Sequence, residues 1–492
     1  MHNFASRLWS FSAAPDYRIA IVDRERTAHY GALRAQAATV AATLVAKGVL
    51  PGDSVAILLD RGADAAAAFF GVLASGAIAV VVHEALRPRQ IEYVLTHAGA
   101  RVLLSTTDVL RRLPRPLARD STMLIDVPRL ERSVAGVTPV PRGADDPAQL
   151  VYTSGSTGNP KGVVLSHGNL QAAARVVAEY LGLRSSDRIA SLLPFGFVYG
   201  MSQLLCAVQV GATLVVERAP LPQDIAAALQ AERVTVIAAV PPQWMSLMRT
   251  ATFAAGFPAL RIMTNAGGHL PATAVQALRR AQPQARLFLM YGLTEALRST
   301  YLAPEEVDRH PGSIGRPIPG ARVFVLRDDG TPARTNEVGE LVHCGPTVAL
   351  GYWRDPELTA RVFRRGPLTE RMVFTGDLVR RDAAGLLYYV GRRDRIIKTM
   401  GYRVGPDEVA DVLSASGQVA DVAVVGVPDA QRGQRIVAYV VLAPGGTLAR
   451  LQEFAAAELP RYMQPSRIEA LAELPRLASG KHDVAALASP AL

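Results

Sequence analysis

Apolar positions recur along the chain with two spacings, and the alternation between them predicts its elements. HYGALRAQAATVAATLVAKG (29–48) carries the helical period and ends on Gly48, while SVAILL (54–59) is a short apolar run suited to a buried strand. The same step repeats through PRQIEYVLTHAG and RVLLS, HGNLQAAARVVAEYLGL and ATLVVE, PQDIAAALQAER and VTVIAAV. LRIMTNAGG, ATAVQALRRAQ and ARLFLMYG continue it as strand, helix and strand. Such alternation predicts parallel sheets covered by helices. After about residue 310, ARVFVLRDDGTPA, EVGELVHCGP and MVFTGDLVRRDAAGLLYYVGR become short strands joined by DG and AG turns, as in an antiparallel meander. Beyond Arg392 the helices GPDEVADVLSA and LQEFAAAELP flank the strands VADVAVVGVPD and RIVAYVVLAP. The expectation is an α/β chain with a large N-terminal domain over 1–392 and a small α+β C-terminal domain over 393–492.

Composition narrows this little. The chain has 492 residues, 49% apolar and 20% charged, which supports a large buried core. Ala65 to Val82 is uncharged over 18 residues, but Ser75-Gly76 interrupts it, so helix, turn and strand are expected rather than a membrane span. The N-terminus has no signal-peptide pattern, and a cytoplasmic protein is expected. Cys206 and Cys344 lie far apart without CxxC or Cys/His clustering, so neither a disulfide framework nor a zinc site is expected. The net charge of +10 comes from scattered arginines rather than a basic stripe, which argues against nucleic acid. Lysine is scarce: of 53 basic residues only Lys47, Lys161, Lys398 and Lys481 are lysines. An ammonium and a guanidinium are not interchangeable at a tight site, so the last three invite a functional reading.

YTSGSTGNPKGVVLSHGNL (152–170) contains a small-residue loop suited to turning backbone N–H groups toward an anion. It is not the GxxxxGK[ST] loop. Pro160 precedes Lys161, and Gly162 with a β-branched run follows it, so the loop should join two strands.

The segment resembles the phosphate loop of the AMP-forming acyl-adenylate superfamily, which includes acyl-CoA synthetases, nonribosomal peptide adenylation domains and luciferases. YGLTEA (291–296), FTGDL (374–378), GRRDRIIKTMGYRVGPDEV (391–409) and LPRLASGKHD (474–483) resemble further family segments in order. Weaker matches at LPFGFVYG (193–200), NAGGHL (265–270) and VGELVHCGP (338–346) fall between them. The resemblance, closest to an acyl-CoA ligase, implies a barrel-like antiparallel part in the large domain and a hinge at Asp394 about which the C-terminal domain moves. It implies that a carboxylate is converted with ATP to acyl-AMP and pyrophosphate, and the acyl group is then passed to a thiol. Lys481 is then the main electrostatic catalyst, with Thr294 on the α-phosphate, Glu295 on Mg²⁺ and Lys398 as a supporting lysine. Thr153, Ser154, Gly155, Ser156, Thr157, Gly158 and Lys161 would hold phosphates. Gly267, Gly268, Tyr291 and Gly292 would lie at adenine, with Asp377 and Arg392 on ribose. Gly401 would line the thiol tunnel.

For the acid, the resemblance points to an apolar pocket made by Phe197, Val198, Gly200, Val240, Ala266 and Leu293. His269 is equally a pocket residue or a surface one. Phe197-Val198 offers no carboxylate to a substrate ammonium, which favours a non-amino acid of medium acyl or aryl type. It also lacks the histidine that CoA synthetases often carry there. CoA is preferred as acceptor on family frequency, with the phosphopantetheine arm of a carrier protein as the alternative and luciferase-like oxygen chemistry behind both. A monomer or homodimer is expected.

Overall fold

The computed structural model describes the chain except residues 1–2, 11–16, 24–25, 118–121, 128–129, 131–136, 154–159, 269, 271, 311, 367–369, 393–396, 476–481, 483 and 489–492. Among the described residues the strands form sheets of 14, seven and five members. In the large sheet Arg286–Tyr291, Ile262–Asn265, Val236–Ala239, Arg188–Ser191, Thr213–Val216 and Ile19–Asp23 run parallel in that spatial order. The meander is not a separate unit. Through Thr300–Leu302 and Ser313–Pro317 it continues the same sheet, antiparallel, to Leu387–Arg392, Arg371–Arg381, Val338–Cys344 and Arg322–Leu326.

The uncharged 65–82 stretch lies inside the molecule. Helix Ala63–Ala74 turns at Gly76 (φ +81°) into strand Ile78–Val81, which is hydrogen-bonded on both sides in the seven-stranded sheet. The helix packs on Tyr30–Ala46 so closely that a Cβ at Gly71 would meet the Val40 side chain at 2.6 Å. Its alanines permit that approach, and full burial of Phe69 and Phe70 contributes about 2–3 kcal/mol each. None of the described helices is long and apolar enough to cross a membrane.

The glycine loop joins antiparallel partners, Pro147–Thr153 and Lys161–Ser166, paired up to Thr153 opposite Lys161. Helix His167–Leu181 then starts on a capping box between Ser166 and Asn169. The five-stranded sheet, with helices Pro406–Ser414 and Leu448–Glu458, forms the smaller C-terminal α+β domain around its own core of Val404, Val409, Leu413, Ile436 and Leu451.

Candidate active site

Five neighbouring parallel strands of the large sheet stop on one side, and the residues just beyond them line a cavity of about 1830 Å³. Tyr291–Thr294, Asn265–Gly268, Val240–Gln243, Leu192–Pro194 and Glu217 supply that wall. Carboxyl ends of parallel strands are the usual ligand side of such sheets, because their connections leave a crevice there. Val81, Val82 and His83 reach the cavity from the seven-stranded sheet, and Lys398, Gly401, Tyr402 and Tyr462 from the C-terminal domain.

Two carboxylates near these strand ends are each held by a tyrosine hydroxyl. Tyr352 donates to Glu295 Oε1 at 2.9 Å, and the Tyr352 ring lies 5.9 Å from Lys161 Nζ. Glu295 Oε2 is buried without a hydrogen-bond partner. The segment carrying Tyr352 is stitched to both neighbours: Ala349 N–H donates to the Glu295 carbonyl, and Leu350 and Trp353 N–H donate to Val164 and Gly162. The second pair is Tyr291, whose hydroxyl donates to Asp377 Oδ2 at 2.5 Å, with Asp377 fully buried.

The C-terminal domain closes the opposite side. Gly401 adopts φ +82°, and a Cβ there would lie 3.0 Å from the Val240 side chain, so glycine is required twice over. The Gly401 carbonyl also approaches the space beside Gly267. Lys398 donates to the Tyr389 hydroxyl at 2.6 Å and lies 4.1 Å from its ring centroid. Tyr402 and Tyr462 stack at 3.8 Å, and both rings meet His83, which also contacts Phe197 edge-on at 4.6 Å. His83 Nδ1 accepts the Ala85 N–H, leaving the neutral ring's proton on Nε2. Burial, with Arg61 adding to it, pushes His83 down to about 3.

The model for the AMP-binding enzyme family matches residues 9–353, and that for its C-terminal domain matches 408–481. The chain belongs to the AMP-binding enzyme family. It is 34% identical, over 99% of its length, to the nonribosomal peptide synthetase CymA of Salinispora arenicola, but spans only 6% of that protein. It is 31% identical to the 3-hydroxybenzoate–CoA ligase of Aromatoleum sp. (strain CIB), over 94% of this chain and 91% of that one. A solved double mutant of o-succinylbenzoate CoA synthetase (MenE) from Bacillus subtilis superposes with a TM-score of 0.87. The identity is 28%, covering 98% and 97% of the two chains. AMP-forming acyl-adenylate chemistry is the chemistry of this family, and the architecture of this AMP-binding enzyme is that of its relatives.

Against that frame of residues, Thr153, Gly267, Gly268, Tyr291, Gly292 and Thr294 line the cavity, as do Phe197, Val198, Val240, Ala266, Leu293, Lys398 and Gly401. Gly200 does not line it: a Cβ there would sit 2.0 Å from the Pro194 carbonyl oxygen, so this glycine permits a close backbone passage. Ser154, Gly155, Ser156, Thr157, Gly158, His269, Asp394 and Lys481 lie outside the described residues, as does the side chain of Arg392.

Glu295 suits a hard cation through one free carboxylate oxygen. Among the described residues no cluster of three or more His, Cys, Asp or Glu could hold a metal ion. Tyr352, His83 and Arg298 were not expected from the sequence. Tyr352 follows the VGELVHCGP segment and Arg298 stands three residues past the end of YGLTE, so motif proximity was the available signal for both. His83 ends the apolar run IAVVV with a polar side chain.

Proposed function

We propose that this enzyme activates a carboxylic acid with ATP to acyl-AMP, releasing pyrophosphate, and then transfers the acyl group to the thiol of CoA. The observation that carries the reading is the seating of Gly401 against Val240 and beside Gly267, which brings a C-terminal loop against the residues proposed for the acid and for adenine. Relatives matched over more than 90% of both chains include a 3-hydroxybenzoate–CoA ligase and a CoA synthetase, which supports the CoA reading, with the phosphopantetheine arm of a carrier protein as the alternative acceptor.

The chemistry sets two anions against each other, so positive charge and alignment are what the protein must supply. Lys481 is proposed to bridge the carboxylate and the α-phosphate. The Thr294 hydroxyl would contact that phosphate, and Lys161 would neutralise the leaving pyrophosphate. Glu295 Oε2 would hold Mg²⁺, which neutralises phosphate charge. Tyr291 would offer its ring to adenine. Asp377 accepts the Tyr291 hydroxyl on Oδ2, and a ribose hydroxyl would share this carboxylate. The reading includes a domain division at 392/393 and rotation about Asp394.

The test is acid-dependent ATP–pyrophosphate exchange over aryl, short, medium and long acids, with and without amino acids. Exchange is expected with a non-amino acid, and Lys481→Ala should reduce it about 10²–10³-fold. If no acid supports exchange in folded, ATP-binding protein, the reading is wrong. Thioester formation with CoA, set against a carrier protein bearing its phosphopantetheine arm, decides the acceptor.

A further inference from the structure

Arg298 lines the cavity, yet only 4% of its surface is exposed. It stands at the end of a tight turn: Leu297 has φ +56°, and a Cβ at Gly292 would lie 2.9 Å from the Leu297 carbonyl oxygen. The guanidinium packs on helix Val198–Val210, where Tyr199, Ser202 and Cys206 share a face. All its partners are neutral. Nη1 donates to the Leu297 carbonyl at 3.0 Å and Nη2 to Ser202 Oγ at 2.9 Å, while the Tyr199 ring centroid lies 4.6 Å away. Nε is buried without an acceptor, and the buried Tyr180 hydroxyl is a further neutral neighbour of this cation. Among the described residues no carboxylate pairs with this cation.

A charge removed from water is costly unless it is paired, and a carbonyl, a hydroxyl and a ring face compensate less than an anion does. The cavity is the route by which an anion could reach the guanidinium. The adenylated carboxylate is a poor candidate, because its oxygen must be free to attack the α-phosphate and a guanidinium fork would hold it back. The Tyr199 hydroxyl is engaged with Thr264, so it does not compete as a donor.

We propose that the acid carries, besides the carboxylate that is adenylated, a second anionic group, a carboxylate or a sulfonate, that binds Arg298. This rests on the adenylation reading and departs from the expectation of an apolar pocket for a medium acyl or aryl acid.

The experiment is ATP–pyrophosphate exchange by the full chain with matched acids: glutarate against valerate, adipate against hexanoate, terephthalate against benzoate, and 3-sulfopropionate against butyrate. In at least one pair the anionic member is expected to show kcat/KM about 10-fold higher or more, chiefly through KM. The sulfonate pair separates the two anions. Arg298→Met should bring that ratio near one, and Arg298→Lys should keep part of it. Equal or better turnover of the mono-acid in every pair overturns the proposal. So does an Arg298→Met enzyme that loses activity on both members alike, which marks a structural or carboxylate-orienting role. Should that variant not fold, the wild-type ratios decide. Exchange with mono-acids alone defeats this proposal and leaves adenylation standing, whereas no exchange with any acid defeats both.

Discussion

Two regions beside one cavity treat charge in opposite ways. Behind the strand ends, outside the cavity lining, Glu295 is held by Tyr352 on one oxygen and has no partner on the other, and Asp377 is held by Tyr291. On the helix side Arg298, which lines the cavity, has only neutral partners. The first region is organised before anything binds, which suits the proposed nucleotide side. The second is electrostatically incomplete, which suits the proposed acid side, the variable part of the reaction. Preorganised groups stabilise charge without reorganising during the reaction, whereas an unpaired buried one discriminates by what it requires.

The comparison breaks first at Glu295. Glu295→Gln keeps the Tyr352 contact but removes the charge, and Mg²⁺-dependent exchange should fall on the order of 10²-fold. Retention of full activity with unchanged Mg²⁺ dependence would remove Glu295 from the site. A smaller effect should come from Tyr352→Phe, which leaves Glu295 Oε1 without its donor. Mn²⁺ affinity of the ATP complex, followed by paramagnetic resonance, should weaken about 10-fold. An unchanged affinity would make Tyr352 a packing residue only.

The mildest test concerns stability. Burial holds His83, His167 and His343 neutral, pushed down to about 3, 4 and 4 from 6.5. Between these values and 6.5 the unfolded chain binds protons that the folded chain does not. Their contribution is therefore full above pH 6.5 and is lost as pH falls toward 4, by up to about 1.4 kcal/mol per unit for each histidine. Tm should be flat near pH 7–8 and drop below 6.5, with a shallower fall in His83→Phe. A Tm independent of pH from 7 to 5 would contradict the burial of these rings.

Much of the fold was legible because its parallel strands are short apolar runs between amphipathic helices, and that contrast survives in a single sequence. The continuation of the large sheet into the meander was not, since strand pairing across Thr300–Leu302 depends on partners far along the chain. The same limit applied to the cavity. Phe197 and Gly401 carry motif signals, but the Tyr352–Glu295 contact joins residues 57 positions apart. Arg298 carries no signal of its own in a chain so rich in arginine, and its isolation from carboxylates exists only in three dimensions. Gly200 shows the converse: a glycine in a pocket motif has a structural reason of its own, the close backbone passage at Pro194.

The turn from Gly292 to Arg298 has a consequence for exchanging parts between relatives. Gly292 must stay bare because Leu297 folds back over it, and Leu297 sits in a left-handed conformation that few side chains accept. Thr294, Glu295 and Arg298 are thus mounted on one stiff bracket. A graft that alters acid choice by importing residues around 298 would need to bring the whole 292–298 segment, or it would tilt Thr294 and Glu295, the pair proposed to face the nucleotide, as well. Acid preference in this scaffold should therefore drift most easily through side chains on the Val198–Val210 helix, which can vary without moving that bracket.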